Sequence, residues 1–450
     1  MTNSQSEPDK APASAWLALA VLVAVSICAS LDRQVLTIAL EPVRKTFALT
    51  DLQIGMLQGL GLTLAAAVGG IPLAWLADRF DRRIVLSLCI VAWSAATAWR
   101  GFAADFNELF LGTVGLALAE AGLGPIVYAM IPSLFHGRQR ARANLVYYTA
   151  SMVGFSLGMV LGGLAFGWVE TQAHRFPDFL KGLEAWRVVF YAVALPGPVI
   201  ALLVMAIRAD HGRSTPAATG AATEAVALWP YMRRHWRTLA GVFGSASACV
   251  AAFSPIMAWL APALTRVFGV PPAEVGVQLG GVLGVASLVG VGVATLTVQR
   301  WGQRFGDALA MHTGQYLAAI ALLPAVLIAW APSARLALGA VFVLGALAVA
   351  FSAVLPGLWQ GIAPAPLRAR VIAISGAAMA LSAALGPLAV GWLSDLFWST
   401  HPRGLLVAVS SISAPLILLS AVLMLWVRGQ LQVTLQAVRL QEQEPAVKSF

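Results

Sequence analysis

Asp32 and Arg33 stand side by side in SICASLDRQVLTIAL (26–40), a stretch that is otherwise uncharged. Glu120, in LGTVGLALAEAGLGPIV (111–127), is the only other acid set deep within an apolar run. Charges in hydrocarbon cost roughly 2.5–3.5 kcal/mol each on insertion scales, so they normally face a cavity or partner one another. Desolvation and a neighbouring cation pull a carboxyl's proton affinity in opposite directions, so such a group can take up and release a proton as its surroundings change. Asp32 and Glu120 are therefore candidate proton-coupling groups, and Arg33 is the candidate ligand for an anionic substrate. Gln34, Gln58, Tyr128, Tyr147, Gln278 and Gln360 are polar candidates for the rest of a binding surface. The competing reading of Asp32 and Arg33 is that both snorkel to the nearer membrane interface.

Other chemistry is poorly supplied. GFSLG (154–158) matches a nucleophile elbow, but that device needs a strand-to-helix turn and a nearby histidine. Gly154, Gly158 and Gly162 recur every four residues and read instead as a close-packing helix face. Cys28, Cys89 and Cys249 lie far apart, and the six histidines show no metal-ligand spacing. We expect no metal, no cofactor, no catalytic residue and no enzymatic activity. No P-loop is present, so the work must come from gradients.

The elements that position these groups follow from composition. Hydrophobic residues make up 59% of the 450 residues, charged residues 11%, and the mean hydropathy is +0.80. A soluble domain needs far more polar surface. Apolar runs at about 16–40, 52–77, 84–103, 108–134, 144–169, 187–207, 239–266, 275–298, 308–331, 336–362, 371–394 and 405–427 are each long enough to cross a bilayer as a helix. The expected fold is thus an all-α membrane protein of twelve transmembrane helices. Most of the 29 Lys and Arg fall in alternate loops. This places both termini on the cytoplasmic side and accounts for the net charge of +9 without nucleic acid. Arg100 is counted among the charges of the outer ends. Four lysines against twenty-five arginines suggest a GC-rich bacterial source, hence an inner-membrane location.

The chain divides into a disordered N-terminal tail (1–15), a six-helix bundle (16–207), a cytoplasmic linker (208–238), a second six-helix bundle (239–427) and a C-terminal tail (428–450). DRFDRR (78–83) reappears as QRWGQR (299–304), and Gly158 and Gly163 reappear, in a matching context, as Gly386 and Gly391. Two halves repeating in one orientation are the plan of a large transporter class. WLADRFDRR (75–83) resembles the loop motif between the second and third helices of the major facilitator superfamily. LDRQVLTIALEPVRKTFALTDLQIGMLQGL (31–60), AEAGLGPIVYAMIPSLF (119–135), GFSLGMVLGGL (154–164), AWRVVFYAVALPGP (185–198), FGVPPAEVGVQLG (268–280) and LGPLAVGWLSD (385–395) resemble its spinster-like branch.

The resemblance implies two pseudo-symmetric bundles, with the first, fourth, seventh and tenth helices lining a central cavity that brings Asp32, Arg33 and Glu120 within reach of one another. It implies a cytoplasmic gate at Asp78, Arg79, Arg82 and Arg83, in which Asp78 accepts backbone N–H groups at a neighbouring helix end. It also implies alternating access by a monomer, with protons and a lipid-like or small-molecule substrate as partners. A lysolipid or sphingoid phosphate fits, and so does a small organic carboxylate taken up by symport. A receptor that binds ligand without moving it is the reading from another class. One departure stands out: residue 113, where the family resemblance places an arginine, is Thr113, which leaves Arg33 as the only evident partner of Glu120.

Overall fold

The computed structural model describes residues 12–135, 137–177, 182–207, 228–306 and 309–443. Most of the N-terminal tail, the Ala/Thr-rich part of the linker and the last residues of the C-terminal tail lie outside the described residues. Among these, twelve helices are long and apolar enough to cross a membrane: α1 (Ala13–Phe47), α2 (Asp51–Arg79), α3 (Arg82–Phe102), α4 (Phe106–Leu134), α5 (Gln139–Arg175), α6 (Ala185–Met205), α7 (Trp236–Phe268), α8 (Pro272–Phe305), α9 (Leu309–Trp330), α10 (Ala334–Trp359), α11 (Ala365–Phe397) and α12 (Gly404–Leu440). Helices suit these runs because every interior N–H and C=O is satisfied within the segment, with no water to do it. The chain is a multi-pass membrane protein.

Local sequence sets the helix ends and breaks. Thr50 and Gln53 form a capping box at the start of α2. Asp81 caps α3 and Asp105 caps α4, each accepting a backbone N–H of its helix. Gly269 ends α7 in the left-handed conformation, with φ of 69°. Within α4, residues 121–122 form a turn directly after Glu120. Pro125 explains it, since a residue without N–H leaves the Ala121 carbonyl with no i→i−4 donor. The segment Leu57–Leu64 of α2 is wound as a π-helix, a widening that is often found at functional positions.

Two compact units result, and they interleave along the chain: one comprises the described parts of 1–43, 65–221 and 272–280, the other those of 44–64, 222–271 and 281–450. In the first unit, Gly154, Gly158 and Gly162 lie against Ser30, Leu31, Val35 and Ile38 of α1. Gly163 receives the first turn of α8, and a Cβ there would stand 2.5 Å from the Ala273 oxygen and 2.9 Å from the Gly276 Cα. In the second unit Gly391 receives the first turn of α2 in the same manner, its Cβ position blocked by the backbone of Asp51 and Leu52. Gly163 and Gly391 are repeat partners in sequence, and so are the starts of α2 and α8. The internal repeat therefore marks a real equivalence of packing.

The Gly391 contact carries a polar cluster. Asp395 accepts the backbone N–H of Asp51 at 3.0 Å and of Leu52 at 2.7 Å. The Asp51 carboxylate in turn accepts from Arg266 at 2.9 Å and from the Ser394 hydroxyl at 2.7 Å.

Candidate substrate and coupling site

Successive residues on a helix point roughly 100° apart, so Asp32 and Arg33 leave α1 in different directions. Arg33 turns towards α4, where its Nε and Nη2 donate to Glu120 Oε2 at 3.1 and 2.6 Å. The Glu120 side chain is 0% exposed while that of Arg33 is 47% exposed. The pair thus has a dry end and an open end. The open end forms one wall of a cavity of about 350 Å³, bounded by α1, α4 and α5. Gln34, Tyr128, Tyr147 and Phe155 also line it, with Tyr128 and Tyr147 packed edge to face at 5.3 Å between centroids. Ser26 and Ser151 share a hydrogen bond of 3.0 Å at the same wall. The cavity therefore offers one accessible cation, a few hydroxyls and a mostly aromatic and aliphatic surface.

Asp32 goes the other way. It is buried, does not line the cavity, and its Oδ1 accepts from Thr97 Oγ1 of α3 at 2.8 Å. The 100° step between neighbours thus aims Arg33, and not Asp32, at this cavity. The interface-snorkelling alternative fails for Asp32 on the same geometry.

Sequence reasoning missed Arg100. Assigned to an outer helix end, it is in fact fully buried, with Nη2 donating to the Asp32 carbonyl at 3.2 Å and approaching Thr97 Oγ1 at 3.3 Å. Its guanidinium also stacks 4.8 Å above the Phe190 ring. A signal was available: Trp93, Thr97 and Arg100 lie at i, i+4 and i+7 on α3, one helix face, and all three are buried. Arg33 is accordingly not the only cation set deep among the helices.

The remaining candidates separate. Gln58 is buried in the π-wound part of α2, within the second unit, and Gln278 is exposed on α8 with its amide 3.3 Å from Glu274. Neither lines the cavity. Gln360 lies in the last turn of the α10 helix, which runs on to Gly361, and its side chain lies outside the described residues.

At the loop between α2 and α3, Asp78 is 76% exposed and stands 4.0 Å from Arg82. The backbone-capping part expected of Asp78 is taken by Asp81, which accepts the Arg83 N–H and pairs with its guanidinium at 2.7 Å. Asp81 wins because it directly precedes the first turn of α3, where the free N–H groups are. Arg82 donates to the Ala129 carbonyl and Arg83 to the Ile207 carbonyl, both at 2.8 Å, while Arg79 covers the Trp75 ring. Arg82 and Arg83 thus tie the ends of α4 and α6 to the loop.

The profile of the Major Facilitator Superfamily matches residues 22–295. An MFS-type efflux pump of Mycolicibacterium smegmatis is 28% identical over 396 residues, 85% of each chain. The sphingosine-1-phosphate transporter SPNS2 of Danio rerio is 31% identical over 140 residues, which cover 30% of this chain and 27% of that one. Among solved structures, a bacterial homolog to the human lysosomal transporter Spinster, inward-facing and unoccupied, superposes with a TM-score of 0.74 at 23% identity, covering 96% of this chain and 98% of the other.

Proposed function

Since the chain belongs to the major facilitator superfamily, whose members are transporters and not enzymes, we propose that it moves an amphipathic organic anion by alternating access, driven by protons. One observation carries this reading. Arg33 presents half of its surface to the cavity while holding a carboxylate that has none. An anion arriving on the open side competes for the same guanidinium, and Glu120, once released, is stabilised by taking a proton. Anion arrival and proton uptake are thereby linked at one side chain.

The lining favours a substrate with an apolar body. Tyr128, Tyr147, Met152 and Phe155 supply aromatic and aliphatic surface beside a single cation, which suits a sphingoid phosphate or lysolipid better than a small hydrophilic acid. Spinster-like relatives support the same class, and the M. smegmatis efflux pump supports export. The Lys/Arg distribution supports cytoplasmic termini, and the arginine-rich composition an inner-membrane location. Asp78 and Arg82 fit a cytoplasmic gate contact, with Asp81 as its fixed anchor.

The test is flux into liposomes holding the purified protein, with labelled sphingoid phosphate, lysophospholipid and a small carboxylate offered in parallel under a pH gradient. Wild type is expected to move an amphipathic anion, and Arg33→Gln to lose at least tenfold. Transport of the carboxylate alone assigns the cavity to metabolites. Binding with no movement of any probe overturns transport in favour of sensing.

A further inference from the structure

The buried charges beside α1 leave three polar atoms without hydrogen-bond partners among the described residues: Nε and Nη1 of Arg100 and Oε1 of Glu120. Of the Arg100 nitrogens only Nη2 is hydrogen-bonded, to the Asp32 carbonyl and the Thr97 hydroxyl, while the guanidinium face lies on the Phe190 ring. An arginine carries five donors in a rigid fork. Burying it with one nitrogen satisfied is a costly way to fill space, and an apolar residue of similar volume would fill it without desolvating a charge. Its charge is therefore the property to be explained.

The charge balance around it is specific. Asp32 and Glu120 are both buried, and Arg33 is committed to Glu120. From α6, Arg187 is already held by Glu184 at 2.6 Å and by the Gly101 and Ala103 carbonyls, and Tyr191 packs on Gly101. Cys28 lies one turn below Asp32 on α1. From α4 the charged groups are Glu120 and, one turn before Gly112, Glu108, whose Oε2 already accepts the Ala104 N–H at 2.8 Å. Thr113, standing where the family resemblance places a cation, turns its hydroxyl back to the Leu109 carbonyl. Arg100 reaches that wall from α3 instead, since a Cβ on Gly112 would stand 2.9 Å from its Cγ.

We propose that Arg100 is a positioning residue, a fixed countercharge that keeps Asp32 and Glu120 both ionised while the cavity is empty, in place of the cation that α4 lacks. With Arg33 the four groups then sum to neutrality. An anion landing on Arg33 leaves one negative charge uncompensated, and one proton taken from solvent by a carboxylate restores the balance. The proposal rests on the cluster being the coupling site, yet it concerns ionisation in the empty protein and is measurable without any transport.

Infrared spectroscopy of the full chain in lipid at pH 7, without substrate, reads protonated carboxyls directly through their C=O stretch. Arg100→Gln is expected to gain one protonated carboxyl per chain, lost again when Asp32→Asn or Glu120→Gln is added. Arg100→Lys, and Arg100→Gln combined with Thr113→Arg, are expected to match wild type, because each returns a cation to the cluster. An Arg100→Gln spectrum identical to wild type overturns the proposal. If Arg100→Gln does not fold, recovery of folded protein on adding Asp32→Asn or Glu120→Gln supports the countercharge, and failure of both doubles assigns Arg100 to packing against Gly112 and Phe190. Absence of flux in the wild type would defeat the transport reading and leave this result standing.

Discussion

Neutralising Asp395 isolates one carboxylate with a countable task. The first turn of α2 has N–H groups that no intrahelical carbonyl can reach. Gln53 N–H is taken by the Thr50 hydroxyl, and those of Asp51 and Leu52 by the two oxygens of Asp395. In Asp395→Asn the amide oxygen keeps one of these bonds and the NH₂ group faces a donor. The loss is then one charge-assisted bond, about 1.5–3 kcal/mol, plus the charge at the positive helix end, about 0.3–1 kcal/mol, together about 2–4 kcal/mol. At about 2–4 °C per kcal/mol for a domain of 150–250 residues, the apparent melting temperature should fall by about 4–16 °C. Tryptophan fluorescence in detergent measures it, at one fixed scan rate because unfolding of such proteins is commonly irreversible. Asp395→Asn combined with Asp51→Asn should deviate from additivity by more than about 0.5 kcal/mol, since the two carboxylates share the helix end. A fall below about 1 °C, or strict additivity, would refute the view that these carboxylates form one cluster.

Gly163→Val and Gly391→Val should each destabilise by about 1–3 kcal/mol through backbone overlap, whereas Gly339→Ala, with nothing within 4 Å of the new methyl, should be neutral or slightly stabilising by the same thermal assay. Burial, and then Arg234, lower the pKa of His235, which sits before α7 with Nδ1 3.3 Å from Thr434. A histidine depressed in the fold binds fewer protons there than unfolded, so its contribution is complete above the ordinary value of about 6.5 and is lost as pH falls below it. His235→Gln should therefore show a smaller loss of thermal stability between pH 7.5 and 5.5 than wild type; an equal or larger loss sinks this assignment. Glu120→Gln should leave anion binding in place and flatten the pH dependence of flux, and an unchanged pH profile would take Glu120 out of coupling.

Much of the fold was legible because hydropathy alone reports spans: each of the twelve runs became a helix. The pairing of Arg33 with Glu120 was legible too, since two isolated charges in hydrocarbon have few alternatives. Arg100 was not, because counting arginines for topology treats a charge at a helix end as belonging to water, and only the buried face shared with Trp93 and Thr97 says otherwise. The separation of Asp32 from the cavity needed the rotation of α1 about its own axis, which an all-round apolar helix does not declare. Asp51, Arg266 and Asp395 were hidden for a different reason: each sits at a helix end where a charge needs no explanation, and their meeting depends on which helices pack together.

That last cluster also sets a timetable for synthesis. Asp51 precedes Arg266 by 215 residues and Asp395 by 344. At roughly 5–20 residues per second, the start of α2 is synthesised roughly 17–70 s before the carboxylate that caps it exists. For that interval the first turn of α2, with its free N–H groups and an unpaired Asp51, must be held by water or by the insertion machinery. A chain arrested before α11 would therefore carry an unsealed α2, and quality control that samples exposed polar helix ends could tell an unfinished copy from a finished one at this point.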